Sequence, residues 1–107
     1  GHRRAMLFVA DLVEGSFLWV NRRAGEVLGY PTRQLLESSF LERVHPEDLP
    51  RTMAVMERLA AGEPVCCFRN RHRRADGSFR VFEWTAIADA DGETCYAMAI
   101  EVTDCTS

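Results

Sequence analysis

The chain has 107 residues, the usual size of a single domain, which leaves no room for a second independent core. Its residues are 47% hydrophobic and 27% charged, a balance typical of globular rather than disordered proteins. The formal net charge of -3 supplies no cationic surface for phosphates, so we expect no nucleic-acid partner.

The apolar runs and the first residues bear on where the domain resides. The run from Ala5 to Ala10 is far shorter than the roughly 20 residues that span a bilayer, and no signal-peptide pattern precedes it. We therefore expect a cytoplasmic domain without membrane contact. Gly1 and His2 resemble the remains of a cleaved tag, which predicts one domain over residues 3–107, taken from a longer protein.

Two short apolar runs open the domain. Leu7 to Asp11 and Phe17 to Val20, separated by a Gly-containing connection, predict a β-hairpin. Asn21 follows directly, and its side chain can accept a hydrogen bond from a free amide at the start of a helix. This helix is predicted to be short and to end near Gly29.

Two further short helices follow. Thr32 is expected to cap the first of them, with Leu35 on its buried face. Ser39 and Glu42, three residues apart, form a capping-box pattern that predicts a second helix ending near Val44.

The longest predicted helix covers about residues 48–61. Pro50 is tolerated only in the first turn of a helix, which makes Asp48 the expected cap, and Gly62 supplies the left-handed stop. Helical spacing gives this helix one apolar face, formed by Leu49, Met53, Met56 and Ala60.

Beyond this helix the hydrophobic period changes to two. The pattern predicts three strands, Val65 to Arg73, Phe79 to Ala88 and Thr94 to Thr103, joined by Asp-Gly turns. The element order then indicates an α+β fold: a five-stranded antiparallel sheet with one face covered by the helical segment.

The four cysteines are Cys66, Cys67, Cys95 and Cys105. Neighbouring residues on a strand point to opposite faces, so Cys66 and Cys67 are not expected to pair. Because no Cys-x-x-Cys with histidine partners occurs, we expect reduced structural thiols and no metal site.

Several short strings in this order resemble the PAS domain family, the sensory modules of bacterial histidine kinases, cyclic-dinucleotide enzymes and transcription regulators. The strings are Val20 to Ala24, Leu28 to Leu35, His45 to Asp48, Arg73 to Arg80 and Val102 to Thr106. Each also has a physical role as a cap, turn or helix start. The resemblance implies the PAS fold and a signalling role, whereas the motifs themselves specify scaffold.

The resemblance also implies where a ligand would bind, between the inner sheet face and the central helices. Matching from the Asp76-Gly77 turn gives an apolar and aromatic set of candidate pocket residues. They are Phe8, Phe17, Trp19, Met53, Met56, Phe68, Asn70, His72, Phe82 and Trp84. An aromatic cluster at these spacings is equally what a filled core without a ligand contains.

Asn70 and His72 stand out in this set because both are polar and predicted to point inward on one strand. A buried polar group without a partner costs roughly 1–3 kcal/mol. These two side chains should therefore contact either a ligand or a neighbouring backbone group.

The last strand can be assigned in two ways. Its larger apolar set, Tyr96, Met98, Ile100 and Val102, should face the core by period alone. The resemblance instead implies that Ala97 and Ala99, with Glu101, face the cavity. We adopt the second assignment, which leaves an apolar outer face and predicts a homodimer.

The sequence argues against the cofactors known in this family. Flavin modules that form an adduct carry a cysteine in the helical segment, but Glu37 to Val44 has none. Haem modules usually take a histidine from the long helix, where Leu49 to Ala61 has none, and a lone inward histidine such as His72 is more often a core residue.

No catalytic arrangement stands out, because capping and turns explain the paired carboxylates and no Ser-His-acid spacing occurs. We therefore expect no enzyme in this segment. The expected function is a sensor that binds a small, mostly apolar ligand and relays the change to an effector beyond residue 107. The alternative function is a ligand-free dimerisation module. A haem-binding sensor is a minor alternative.

Overall fold

The computed structural model describes residues 5–103. Gly1, His2 and Cys105, and with it most of the last PAS-like string, lie outside the described residues. The strands are β1 (Met6–Asp11), β2 (Ser16–Val20), β3 (Val65–Arg73), β4 (Phe79–Ala88) and β5 (Thr94–Glu101). The helices are α1 (Arg22–Leu28), α2 (Thr32–Glu37) and α3 (Leu49–Ala60). Short 3-10 turns at Phe40–Arg43 and Pro46–Asp48 connect α2 to α3.

All five strands are antiparallel and form one sheet in the order β2-β1-β5-β4-β3. The helical segment between β2 and β3 packs against one face of this sheet, and the buried side chains of both layers form the core. This arrangement confirms the predicted α+β fold. Strands β3 and β4 have the predicted bounds, whereas β5 ends at Glu101 rather than Thr103.

The first helix begins and ends as its sequence predicts. The Asn21 side-chain oxygen accepts a hydrogen bond from the Ala24 amide at 3.0 Å and another from the Leu7 amide at 3.1 Å, so it also ties α1 to β1. Gly29 follows α1 with a φ of 85°, and its amide bonds to the Gly25 carbonyl. This left-handed position is one that glycine adopts without a steric penalty.

The next two helix starts differ from their predictions. Thr32 is the first residue of α2 rather than its cap, and Pro31 precedes it without a side-chain hydrogen bond. Ser39 does cap the following segment, but its hydroxyl accepts from the Leu41 amide, and the segment Phe40–Arg43 is a 3-10 turn.

The predicted apolar face of α3 was wrong for two of its four residues, whereas Leu49 and Met56 are half-buried. Thr52, Val55 and Leu59 are the buried positions, while Met53 is 51% exposed and Ala60 is exposed. Thr52 can be buried because its hydroxyl donates to the Asp48 carbonyl at 2.8 Å, so no polar group is left unpaired. The prediction treated this threonine as a solvent-facing polar residue, and it therefore placed the buried face of α3 one residue too far along the helix.

Two irregularities in the strands change which side chains face the core. The pairing of β1 with β2 shifts between Val9 and Ala10, which pair with Trp19 and Phe17 respectively. Leu18 of β2 therefore has no partner in β1 and forms a β-bulge. Phe17 is consequently buried and Trp19 is 50% exposed. The predicted inward position of Trp19 was therefore wrong, because a β-bulge breaks strict alternation.

The second irregularity lies in β3. Val65 pairs with Ala86 and Phe68 with Trp84, so Cys66 and Cys67 together oppose one residue of β4. Cys67 adopts a φ of 65°, which is unusual for a residue with a side chain. The sulfur atoms of the two cysteines lie 2.9 Å apart, so these side chains do not point to opposite faces as they would in a regular strand.

Candidate functional site

A cavity of about 70 Å³ lies between α3 and the inner face of the sheet. A water needs roughly 10–15 Å³ of such space, so this cavity can hold a molecule of a few heavy atoms. Six of the predicted pocket residues line it: Phe17, Met56, Phe68, Asn70, His72 and Trp84. The structure thus brings together side chains from β2, α3, β3 and β4.

The remaining four predicted pocket residues do not line the cavity. Phe8 and Phe82 are buried core residues. The Phe8 ring stacks on Phe17 with ring centres 4.5 Å apart and so supports the cavity wall. Trp19 and Met53 are half exposed, for the reasons given above, and lie away from the cavity.

Sequence reasoning missed part of the lining. Thr52, Val55 and Leu59 come from the true buried face of α3, and Phe40 comes from the 3-10 turn. Cys95 also lines the cavity, and its alternation with Ala97 on β5 was a signal that could have identified it. Burial raises the pKa of the Cys95 thiol to about 11, so this thiol is protonated at neutral pH.

Both polar atoms of the Asn70 side chain have protein partners. Its side-chain nitrogen donates to the Thr52 hydroxyl at 3.1 Å, and its side-chain oxygen accepts from the Trp84 indole at 2.8 Å. The Thr52 hydroxyl donates onward to the Asp48 carbonyl. This chain of hydrogen bonds joins β3, β4 and α3 and explains how the inward Asn70 is tolerated.

His72 is in the opposite situation. It is only 3% exposed, and its ring lies 5.3 Å from that of Trp84 and 5.9 Å from that of Phe82, centre to centre. No hydrogen bond of the His72 ring is found within residues 5–103, and its nitrogens are not among the fully buried unpaired atoms, which belong to Arg23 and Arg43. A neutral imidazole offers one donor and one acceptor, so His72 can provide the cavity with both.

The charge state of His72 follows from its surroundings. Burial, with a smaller contribution from the positive charge of Arg43, lowers the pKa of His72 to about 3. Arg43 is itself buried, with its Nη1 donating to the Ser38 hydroxyl at 2.7 Å and its guanidinium over the Tyr30 ring. The imidazole is therefore neutral at physiological pH.

An ion pair fixes the start of α3 against β3 beside this cavity. Asp48 is 4% exposed, and its carboxylate accepts hydrogen bonds from the backbone and the guanidinium of Arg71. These bonds hold the pKa of Asp48 well below its usual range and raise the pKa of Arg71. The carboxylate thus serves as an anchor between two elements rather than as a helix cap.

The outer face of the sheet is apolar around β5. Tyr96, Met98 and Ile100 are 47%, 38% and 43% exposed, while Cys95, Ala97 and Ala99 face the inner side. Val102 is half-buried just beyond the strand. The PAS-based assignment of this strand is confirmed, and the assignment from hydrophobic period alone was wrong.

Two features of the described chain bear on membranes and metals. None of the helices in residues 5–103 is long and apolar enough to cross a membrane. Over the same residues, no group of three or more His, Cys, Asp or Glu side chains is arranged to hold a metal ion.

An antiparallel sheet covered on one face by a helical segment, with a small cavity between them, defines an α+β domain. The sequence profile of the PAS fold matches residues 17–100. The chain therefore belongs to the PAS-fold family, a class of sensory modules in signalling proteins that generally lack catalytic activity. No curated protein matched the sequence.

Solved structures share this fold. One is a domain of the sensory box sensor histidine kinase/response regulator from Geobacter sulfurreducens, with a TM-score of 0.77 and 23% identity over 92% of this chain and 84% of that one. The PAS-B domain of Drosophila melanogaster Cycle with bound ethylene glycol has a TM-score of 0.77 and 26% identity over 91% and 97%. A tryptophan-to-alanine variant of that domain, with bound glycerol, has a TM-score of 0.76 and 27% identity over 90% and 96%.

Proposed function

We propose that this PAS domain is a sensor for a small, uncharged and mostly apolar molecule that carries one hydrogen-bonding group. Binding would be relayed through the sheet to an effector in the same full-length protein. The observation that carries the proposal is His72, a buried polar side chain that lines a mostly apolar cavity and has no hydrogen bond to the other described residues.

The polar groups of the cavity set the chemistry of the ligand. Asn70 and Thr52 already have protein partners, which leaves His72 as the available polar side chain among those described. Because its imidazole is neutral, a charged ligand would be desolvated without a compensating charge. A neutral molecule with one hydroxyl or carbonyl group avoids this penalty.

The size of the cavity limits the ligand to a few heavy atoms. Ethylene glycol and glycerol, which are bound in the two Drosophila structures, have this size. A flavin or haem would require a much larger space, so we propose that this domain carries neither. Relay to an effector requires only that the ligand bind two arrangements of the domain with different affinity.

Mass spectrometry and a visible absorption spectrum test whether the purified domain carries a ligand. The purified protein would be weighed under native and denaturing conditions, and we expect the native mass to exceed the denatured mass by that of a small molecule. A visible absorption spectrum should show no flavin or haem band. Equal native and denatured masses, together with failure of the titration described next, would contradict a sensor of small molecules.

The role of His72 can be separated from that of the cavity with two probes. 2-Propanol has one hydroxyl group, and xenon has none; both are small enough for the cavity, and binding would be followed by NMR shifts. We expect His72→Leu to weaken 2-propanol binding by about 2- to 10-fold, the value of one hydrogen bond, and to leave xenon binding unchanged.

Two further variants serve as controls for this titration. Ala97→Leu places a larger side chain into the cavity and should abolish binding of both probes. Met53→Leu changes an exposed residue of the same helix that carries Met56 and should affect neither probe. Equal loss of xenon and 2-propanol in His72→Leu would count against the proposed hydrogen bond.

The outer face of the sheet supports a second candidate function, homodimerisation. Tyr96, Met98 and Ile100 are exposed side by side on β5, and Leu7 and Ile87 extend this apolar surface to β1 and β4. Contiguous apolar patches of this kind are typical of protein interfaces. A second copy of the chain would cover the patch with an equivalent one.

Sedimentation velocity tests the dimer. We expect the wild type to form a concentration-dependent dimer that Ile100→Lys abolishes without loss of the circular dichroism spectrum. Glu57→Lys on the exposed side of α3 adds the same residue away from the sheet and should leave the dimer intact. A folded Ile100→Lys protein that still dimerises would contradict the proposed interface.

A further inference from the structure

The bulge in β3 brings two neighbouring thiols together on the surface. Cys66 and Cys67 both occupy the bulge opposite β4, and both are exposed. Their sulfur atoms lie 2.9 Å apart and share a hydrogen bond. In a regular strand, neighbouring side chains point to opposite faces and could not make this contact.

The backbone of the same bulge also has an unusual conformation. Cys67 is the single non-glycine residue of the described chain 5–103 with a positive φ, at 65°. Residues with side chains avoid this region, and bulges or strained backbones of this kind cluster at functional sites. The left-handed angle and the short distance between the sulfur atoms thus occur at the same residue.

We propose that Cys66 and Cys67 form a redox-modification site, at which a peroxide joins the two thiols into one disulfide that a thiol such as reduced glutathione opens again. With a peroxide, one thiolate attacks the oxygen, forms a sulfenic acid and releases water. The second thiol then attacks that sulfur, so that a disulfide and a second water are formed. The two thiols lose two electrons and two protons, and the peroxide gains them.

The short distance between the two sulfur atoms favours a disulfide within one molecule. The two sulfur atoms need to move less than about 1 Å to reach the disulfide distance of about 2.0 Å. Their residues are adjacent, so their Cα atoms are held about 3.8 Å apart, below the range of ordinary disulfides. Disulfides with such constraint and exposure are the readily reduced ones, which makes the modification reversible.

The other described thiol provides an internal contrast. Cys95 is 3% exposed, and burial raises its pKa to about 11, so it lacks both access and thiolate character. The pKa of Cys67 is raised as well, first by its hydrogen bond with Cys66, so exposure and proximity rather than thiolate character distinguish the pair from Cys95. We therefore expect oxidation to be confined to the adjacent pair.

Peptide mass spectrometry tests the proposal. Cleavage after Arg58 and Arg69 releases one peptide that contains both thiols of the pair and no other. The Cys105→Ser protein would be treated with one equivalent of hydrogen peroxide, alkylated with iodoacetamide and digested. We expect this peptide to appear unalkylated, lighter by two hydrogen atoms, from a protein of unchanged size on non-reducing gels.

Reversal and controls complete the experiment. Reduced glutathione should restore two alkylatable thiols in the peptide. Cys66→Ser and Cys67→Ser should each prevent the loss of two hydrogens, while Cys95→Ser should not. A peptide alkylated at both cysteines after treatment, a disulfide between two chains, or oxidation of one cysteine with the other still alkylated would each overturn the proposal.

Discussion

Asp48 and Arg71 form a two-pronged ion pair between the start of α3 and the middle of β3. The Arg71 Nε and Nη2 donate to the two carboxylate oxygens of Asp48 at 3.0 and 2.9 Å, and the Arg71 amide donates at 2.8 Å. A carboxylate that is 4% exposed would be costly without these partners. The pair therefore fixes the angle at which α3 closes the cavity.

Replacement of Asp48 should destabilise the domain. Asp48→Asn keeps the shape of the side chain but removes its charge and places a donor against the guanidinium. Hydrogen bonds to charged groups contribute about 1.5–3 kcal/mol, so we expect the free energy of unfolding to fall by about 2 kcal/mol. Urea denaturation would measure it. Arg58→Ala, which breaks an exposed ion pair with Glu63, is the control and should have a much smaller effect.

The Asn70 network should show measurable coupling. Asn70→Leu leaves the Trp84 indole nitrogen without its acceptor, and Trp84→Phe leaves the Asn70 oxygen without its donor. Each single change thus leaves an unpaired polar group, whereas the double variant removes both. We expect the double variant to be more stable than the sum of the single effects predicts, by about 0.5–1.5 kcal/mol, in urea denaturation. Additive effects would show that the bond contributes nothing.

The buried His72 should make stability depend on pH. Its pKa is lowered to about 3 in the folded chain, whereas an unfolded histidine titrates near about 6.5. Below pH 6.5 the unfolded state binds a proton that the folded state does not, so stability is full above that pH and is lost as the pH falls toward 3. We expect a loss of about 2 kcal/mol between pH 7.5 and 5.0.

Denaturation of variants at the two pH values assigns this dependence. His72→Leu should reduce the difference between pH 7.5 and 5.0, because it removes the titrating group. His45→Gln should keep the difference, since His45 is only half-buried and lies outside the cavity. An unchanged pH dependence in His72→Leu would show that another group carries it.

The sequence was most informative where local chemistry decides the structure. Asn21 and Gly29 begin and end α1 as predicted because a cap and a left-handed residue act within one turn. The inward positions of Asn70 and His72 followed from the alternation of β3 beyond its bulge. These features require no knowledge of distant parts of the chain.

The errors have a common physical origin in contacts between distant elements. Trp19 faces outward because β1 and β2 pair with a bulge, and nothing in the alternation of either strand marks it. Met53 is exposed because Thr52 is buried with its hydroxyl satisfied, a gain that depends on Asp48 and Asn70. The absence of a partner for His72 could likewise be seen only in three dimensions.

The contact between Gly29 and the β3–β4 turn provides a prediction that separates two effects in one experiment. Gly29 and Gly77 have nearly equal positive φ values, 85° and 89°. A Cβ at Gly29 would lie 3.2 Å from the Ala75 Cβ, whereas at Gly77 nothing lies within 4 Å. In both Gly→Ala variants the left-handed backbone should lower the free energy of unfolding by about 1 kcal/mol.

Gly29→Ala should lose further stability, because the new methyl group presses on Ala75, whose amide bonds to the Leu28 carbonyl. Urea denaturation of the two variants measures the difference directly, since the backbone cost cancels. Combining Gly29→Ala with Ala75→Gly removes the opposing methyl group and should recover the excess loss. If Gly29→Ala and Gly77→Ala were equally stable, the Ala75 contact would have no energetic role.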